Sequence, residues 1–339
     1  MTVYYRPIAQ SDPARSENAL PLAGNPWIWF DRAEQMGRDG SSQLVSVDEI
    51  PADLRERLIA PRPPVAGLEF NCPLLMAVLN TTPDSFSDGG RFDALEPAVG
   101  HARAMAAAGA DILDIGGEST RPGAAFVPPE EEIARTAPVI AALRRAGLTQ
   151  PISIDTRKAV VAKAALEAGA SVLNDVSALS FDAQMSDIAL KSNAPICLMH
   201  AQGDPKTMQD APHYDDVLLD VYDYLAQTIE RAVDAGIARD RIILDPGIGF
   251  GKTQEHNLRL IGGLSLFHGL GCPVLLGVSR KRFIGTIGNE PQADRRGPGS
   301  VAVALQGLSQ AVQIIRAHDI EQHAQAFALW RAMLNQTQD

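Results

Sequence analysis

Eight short apolar runs, each followed by an amphipathic stretch, occupy most of this chain and leave few folds open to it. The runs are 74–80, 112–116, 152–155, 172–176, 196–200, 242–245, 274–279 and 313–319, each bounded by Gly, Pro, Asn or Asp. They are nearly continuous in apolar residues rather than alternating, as strands are when helices cover a parallel sheet. Helical periodicity is predicted at 96–108, 130–146, 158–168, 216–235, 254–267, 300–311 and 320–334. Eight strand–helix units in about 260 residues match the usual span of a (β/α)8 TIM barrel, an α/β fold. A doubly wound open sheet is the competing architecture, because alternation alone does not require closure. The count of eight favours the barrel.

The first 67 residues depart from that pattern. They hold eight of the 23 prolines and two of the three tryptophans, Trp27 and Trp29. The segment 26–30 is too aromatic for a linker and is expected to pack on a neighbour. A short helix is predicted from Ser46 to Ile59, with Glu49 three residues after Ser46 and Pro51 near its first turn. Ala60 to Val65 carries three prolines and reads as an extended linker. The division is therefore an accessory N-terminal extension at 1–67 and a barrel at 68–339.

Composition excludes several classes. With 45% hydrophobic and 21% charged residues the 339-residue chain is not globally disordered. A formal net charge of −11 argues against a general nucleic-acid binder, which needs a basic face. It leaves room for a local basic pocket and an anionic small-molecule substrate. Cys72, Cys197 and Cys272 are scattered in apolar stretches and are expected to be buried thiols, neither paired nor metal-bound. No basic-then-apolar leader and no run of ~18 apolar residues is visible, so the chain reads as cytoplasmic, without a membrane partner.

A barrel forecasts where chemistry lies: polar residues at the C-terminal ends of its strands converge on one rim. Nearly every run here ends in such residues: Asn80; Glu118 to Arg121; Asp155; Asn174-Asp175; His200; Asp245; Ser279-Arg280-Lys281; Arg316 with His318. One of these would be an ordinary cap or turn former. All of them on one rim make a binding site. Asp155, Asn174 and Asp245 suit a ring rich in N–H donors, such as an aminopyrimidine, because buried carboxylates must be paired or hydrogen-bonded. Arg121, Lys281, Arg316 and His318 suit phosphate or carboxylate groups.

Two look-alike motifs fail on their glycines. In the segment from Asp245 to Thr253 a phosphate-binding P-loop would need glycine where Pro246 stands, and a dinucleotide fingerprint would need it at Lys252. The better reading is a glycine-rich loop that brings backbone and Phe250 close to a ligand. His101, His213, His256, His268 and His323 lack ligand spacing. Glu130 to Glu132 reads as a solvated helix N-terminus favoured by the macrodipole.

Taken together, these residues resemble the dihydropteroate synthase family of pterin-binding enzymes. The resemblance rests on the segments Leu79–Gly90, Asp114–Gly123, Asp155-Thr-Arg, Asn174-Asp-Val, Leu198-Met-His, Asp245–Lys252, Ser279-Arg-Lys and Arg316-Ala-His-Asp, in that order. Thr81 and Ala201 stand where the family more often has a larger apolar residue. The resemblance implies that 4-aminobenzoate displaces pyrophosphate from 6-hydroxymethyl-7,8-dihydropterin diphosphate. It implies that Asp155, Asn174, Met199, Asp245, Phe250 and Lys281 hold the pterin. Thr120, Pro122, Phe250, Ser279 and Lys281 would border 4-aminobenzoate, the position that sulfonamides imitate. Thr120, Arg121, Arg316 and His318 would hold pyrophosphate, Asn80 would help bind Mg²⁺, and Asp155, Lys281 and Arg121 would carry the chemistry. The loops 81–92 and 120–129 are candidates to close over the site, and a homodimer is expected. A pterin-dependent methyltransferase domain or a non-catalytic paralogue would not need Thr120-Arg121 and Ser279 to Lys281 together.

Overall fold

The computed structural model describes residues 2–81, 95–119, 125–203 and 208–335. The extension begins with β1 (Val3–Pro7), β2 (Leu20–Pro21), β3 (Trp29–Phe30), β4 (Arg32–Gly37) and β5 (Ser42–Ser46), followed by α1 (Ala52–Ile59). Strands β1, β4 and β5 form an antiparallel sheet with β4 in the middle, and β2 pairs with β3. The barrel strands are β6 (Leu74–Asn80), β7 (Ile112–Gly116), β8 (Ile152–Asp155), β9 (Val172–Asp175), β10 (Ile196–Met199), β11 (Ile242–Asp245), β12 (Leu275–Gly277) and β13 (Ile314–Ala317). Each is parallel to the next, and β13 pairs back onto β6. A parallel bridge between Leu244 and Val274 joins β11 to the start of β12 and closes the ring. The barrel, not the open sheet, is the fold.

The helices between the strands are α2 (Leu95–Ala107), α3 (Pro129–Arg145), α4 (Ala159–Ala168), α5 (Met185–Ser192) and α6 (Val217–Asp234). They continue with α7 (Gln254–Gly262), α8 (Arg282–Ile287), α9 (Gly297–Leu308) and α10 (Ile320–Leu334). Their ends follow from local chemistry. Asp216 accepts the N–H groups of Leu218 and Leu219 at the start of α6, and Gly169, at φ +115°, ends α4. No helix among the described residues is long and apolar enough to cross a membrane.

Side chains of a strand alternate between barrel interior and helix layer. Leu75, Ala77 and Leu79 of β6 join the large core under the helices, whereas Leu74 and Met76 join a separate interior cluster. That cluster, with Ile112, Val172, Cys197, Ile243, Leu275 and Ile314, fills the N-terminal half of the barrel. Val65 is part of it, with Ala66, Leu68 and Phe70 packed alongside. The segment after the prolines thus plugs the barrel floor, and the charged residues of the interior stand above this layer. Ligand access is left to the C-terminal face.

Several expectations about the extension change. The stretch Ser46 to Ile59 is not one helix: a 3-10 turn at Val47–Glu49, closed by the Ser46/Glu49 capping box, stops at an extended Ile50 before α1. Pro51 forces this break because it disfavours a helical residue before it. Ala60 to Val65 is no free linker, since the buried Arg62 donates to the carbonyl oxygens of Arg57, Ala60 and His268. The antiparallel sheet was not expected from the sequence at all. It lies on α6 and on the 3-10 segment Leu264–Leu270, into which the predicted helix 254–267 breaks at Gly263. Tyr4 and Arg38 bind Asp223, Arg38 also reaches Asp220, and Ser265 donates to Pro7. Trp27 meets Trp330 edge-on and donates to Asn335 of the segment after α10. Leu22, Ile28 and Phe30 are fully buried in the same core as the barrel helices. Cys197 and Cys272 are buried as expected, whereas Cys72 is half-buried.

Because the extension shares that core, its aromatic anchor supports the whole molecule. Phe30→Ala is expected to lower the unfolding free energy by about 3–5 kcal/mol, measured by denaturant titration. A loss below about 1 kcal/mol would show that the extension merely rests on the barrel.

Candidate functional site

Strand parity decides which rim residues turn inward. Two residues above each apolar interior position of β7, β9, β11 and β13 stands a polar one: Asp114 above Ile112, Asn174 above Val172, Asp245 above Ile243, Arg316 above Ile314. Asp155 at the end of β8 completes the set, and the carboxylates and the amide are buried. The Arg316 Nε donates to Asp114 at 2.6 Å and its Nη2 to Asp155 at 2.7 Å. Asn174 Nδ2 lies 3.3 Å from Asp114, and the Gly247 N–H donates to Asp245 at 2.7 Å.

The balance of charge in this interior is visible in its ionisation. Burial pushes the Asp155 carboxyl up to about 7, against the pull of Arg316 and with the push of Asp114. Burial likewise raises Asp245. Asp155 Oδ1 is buried and has no hydrogen-bond partner among the described residues. A buried acceptor in that state is costly, and it fits a ligand that brings an N–H donor.

Above this layer opens a cavity of about 700 Å³ whose lining includes Asn80, Asp155, Phe250, Ser279, Lys281, Arg316 and His318. Nine of the sequence-predicted positions, Glu118, Ser119 and Arg280 among them, therefore share one space with Asp155, whereas Asn174 and Asp245 are not in its lining. Lys281 Nζ sits 4.2 Å from the centre of the Phe250 ring. Ser279 Oγ accepts the His318 backbone N–H at 3.1 Å and lies 3.0 Å from its Nδ1. Met199 is not in that lining. It borders a second cavity, of about 210 Å³, with Arg157, Val176 and Ser177, and Phe250 borders both. Thr120, Arg121 and Pro122 lie outside the described residues, as does most of the loop 81–92.

Other rim residues build the scaffold. Asp175, the outward neighbour of Asn174, accepts from Ser177 and from the Leu179 N–H, folding the loop after β9. Arg280, a non-glycine residue at φ +60°, pairs with Asp319 and ties the loop after β12 to that after β13. Glu130 and Glu131 form the expected solvated acidic first turn of α3, but Glu132 does not: it is fully buried and meets Lys158 Nζ at 2.5 Å. The same ammonium is 3.1 Å from Glu118, which also meets Arg157 and accepts the Val127 N–H. Despite burial, these partners hold the Glu118 carboxyl below its usual range. Lys158 and Glu132 stand in helix-like sequence, and only the fold reveals them as a buried pair.

Asp114 and Lys252 were missed as site residues. Asp114 carried a usable signal, the two-residue step inward from Ile112. Lys252 carried none, because its partners are backbone carbonyls and His200.

The Glu118–Lys158–Glu132 cluster gives a stability expectation. Lys158→Met leaves two buried carboxylates short of their cation and should lower the unfolding free energy by about 3–5 kcal/mol, with partial recovery on adding Glu132→Gln. Urea titration of both variants checks this.

Comparison with known proteins follows this geometry. A family described as "Pterin binding enzyme" matches residues 76–318. The dihydropteroate synthase of Escherichia coli (strain K12) is 44% identical over 269 residues, covering 79% of this chain and 94% of that protein. That of Bacillus subtilis is 45% identical over 262 residues, covering 77% and 89%. Among solved structures, dihydropteroate synthase from Xanthomonas albilineans in complex with 7,8-dihydropteroate superposes with a TM-score of 0.73 at 40% identity, covering 81% of this chain and 99% of that one. The Yersinia pestis enzyme in complex with a sulfonamide drug gives 0.74 at 44% identity, covering 79% and 98%.

Proposed function

Because the chain belongs to the dihydropteroate synthase family of pterin-binding enzymes, we propose that the cavity above Asp155 binds the pterin diphosphate and 4-aminobenzoate side by side. The enzyme joins 4-aminobenzoate to 6-hydroxymethyl-7,8-dihydropterin diphosphate, giving 7,8-dihydropteroate and pyrophosphate. The observation that carries the placement is the buried Asp155 Oδ1 left without a partner beneath the cavity.

On this reading Asp155, Asn174 and Asp245 accept and donate to the pterin ring, and Met199, Phe250 and Lys281 form its walls. The bond from the pterin methylene carbon to the diphosphate oxygen breaks, and the amine nitrogen bonds to that carbon and loses a proton. Positive charge spreads into the electron-rich ring as the oxygen departs, and the Asp155 carboxylate favours it. The arylamine is neutral near pH 7 and needs orientation rather than a nucleophile–base pair. Ser279 and Lys281, with Thr120 and Pro122, border the 4-aminobenzoate. Arg121, Thr120 and His318 meet the departing diphosphate together with Arg316, whose commitment to Asp114 and Asp155 fixes its orientation at the cavity wall.

A divalent cation fits this donor set as a companion of the diphosphate. Asn80 offers a hard amide oxygen at the cavity wall, and among the described residues no three His, Cys, Asp or Glu side chains gather into a metal cage. Mg²⁺ held by Asn80 and phosphate oxygens would neutralise charge on the leaving group. A homodimer remains part of the proposal. Leu329 and Met333, one turn apart on α10, are 61% and 65% exposed, an apolar face that a second copy would cover.

The purified protein should form dihydropteroate and release pyrophosphate when given Mg²⁺ and both substrates; no product at saturation would sink the reading. Lys281→Ala and Arg121→Ala should each lower kcat by about 10²-fold or more, and chelation with EDTA should slow wild-type turnover. The pH profile tests Asp155. Its raised pKa leaves the carboxyl protonated below about 7, so kcat/KM for the pterin diphosphate should fall as pH drops through that value. Asp114→Asn removes a like charge beside Asp155, lowers its pKa and should move this limb to lower pH. An unmoved limb would assign it to another group.

A further inference from the structure

The loop from Pro246 to Thr253 carries Phe250 to Lys281 and so shapes the pterin side of the cavity. Something must hold it, because it crosses the barrel mouth with glycines at Gly247, Gly249 and Gly251, all at positive φ. Gly247 is pressed against the end of β10: a Cβ built there would lie 1.8 Å from the His200 carbonyl oxygen. The backbone therefore has no side chains of its own to pin the turn at these positions.

Asn257 and Gln209 hold Gly249, Tyr214 holds the Gly251 oxygen, and Lys252 braces the carbonyls of Gly247 and Phe250. The Lys252 side chain runs back under the loop and is only 3% exposed. The Nζ lies 2.8 Å from the Gly247 oxygen, 3.0 Å from the Phe250 oxygen and 2.8 Å from His200 Nδ1, with the His200 oxygen at 3.4 Å. Those first three acceptors match the three hydrogens of an ammonium group. No carboxylate among the described residues lies within ion-pair distance of it, so this is a cation solvated by neutral protein groups. Burial pushes Lys252 down to about 7, with Asp245 opposing and Lys281 assisting. Burial and the Lys252 charge push His200 down to about 2, so the imidazole is neutral. When Lys252 is charged, Nδ1 accepts from the ammonium and the ring proton sits on Nε2. A side chain needed only for bulk would not carry so costly a group; the amine is where the Gly247 and Phe250 carbonyls and the His200 ring meet.

We propose that Lys252 is a positioning residue for the pterin subsite, tying the carbonyls of Gly247 and Phe250 to His200 at the end of β10 so that the Phe250 ring stays against Lys281. The proposal rests on the functional reading above, and it adds a residue that acts through Phe250 rather than on the reacting atoms.

Isothermal titration of the pterin diphosphate without 4-aminobenzoate separates the possibilities. Wild-type protein that binds no pterin diphosphate would overturn the functional reading itself. With wild-type binding in hand, Lys252→Met should weaken Kd about tenfold. The same change in a Phe250→Ala background should add much less, because the brace acts through that ring. Unchanged affinity in Lys252→Met, or losses that simply add in the double variant, would overturn the proposal. If Lys252→Met does not fold, His200→Leu removes one acceptor and leaves the carbonyls. It should weaken Kd by about threefold with the same lack of additivity, and a folded His200→Leu with wild-type affinity would overturn the proposal equally.

Discussion

One guanidinium between two carboxylates holds the polar half of this barrel together. Arg316 reaches Asp114 from β7 and Asp155 from β8, and all of them project inward from strands that would otherwise bring unpaired charge into a closed ring. Removing any one member would strand the others in a poorly solvated space. The arrangement is not fully neutralised: one cation meets two anions, with a third carboxylate, Asp245, close by. Burial, with the push of Asp114 and against the pull of Arg316, raises Asp155 toward neutrality, and one of its oxygens has no hydrogen-bond partner among the described residues. That incomplete satisfaction makes the site receptive to a ring bearing N–H groups and, once the leaving group departs, positive charge.

The same theme recurs around the rim with different solutions. Lys158 is enclosed by carboxylates of Glu118, which follows β7, and Glu132 of α3. Lys252 is enclosed by carbonyls and a neutral imidazole. Arg280 joins the last two strand loops through Asp319. Each of these three cations ties a segment at the barrel mouth to its neighbours, so an acidic molecule carries basic groups there. The net charge of −11 thus says little about the site.

Much of this was legible before any coordinates. The eight apolar runs match the eight barrel strands within a residue or two at most ends, because a strand covered on both sides needs continuous apolar residues. Asp155, Asn174, Asp245, Phe250, Lys281, Arg316 and His318 stand at strand ends or in the loops that follow, where a barrel sends its chemistry. The short helices α5 and α8 were overlooked because six to eight residues hold too little periodicity to register. The sheet in the extension was overlooked because its strands are short and half-polar, and its apolar face is completed only by α6 and the segment before β12.

The chain's own pattern therefore determined the barrel, the face on which its cavity opens and several of the residues that line it, Asn80, Asp155, Phe250, Ser279, Lys281, Arg316 and His318 among them. These follow from two local rules, apolar continuity along strands and the polarity of strand ends. Tertiary structure alone decided which partner each charge would have. Arg316 turned to Asp114 and Asp155, Glu132 left the solvent for Lys158, and Lys252 found carbonyls instead of a carboxylate. Pairing of this kind depends on distances across a closed barrel between residues up to 202 positions apart, which no local period encodes.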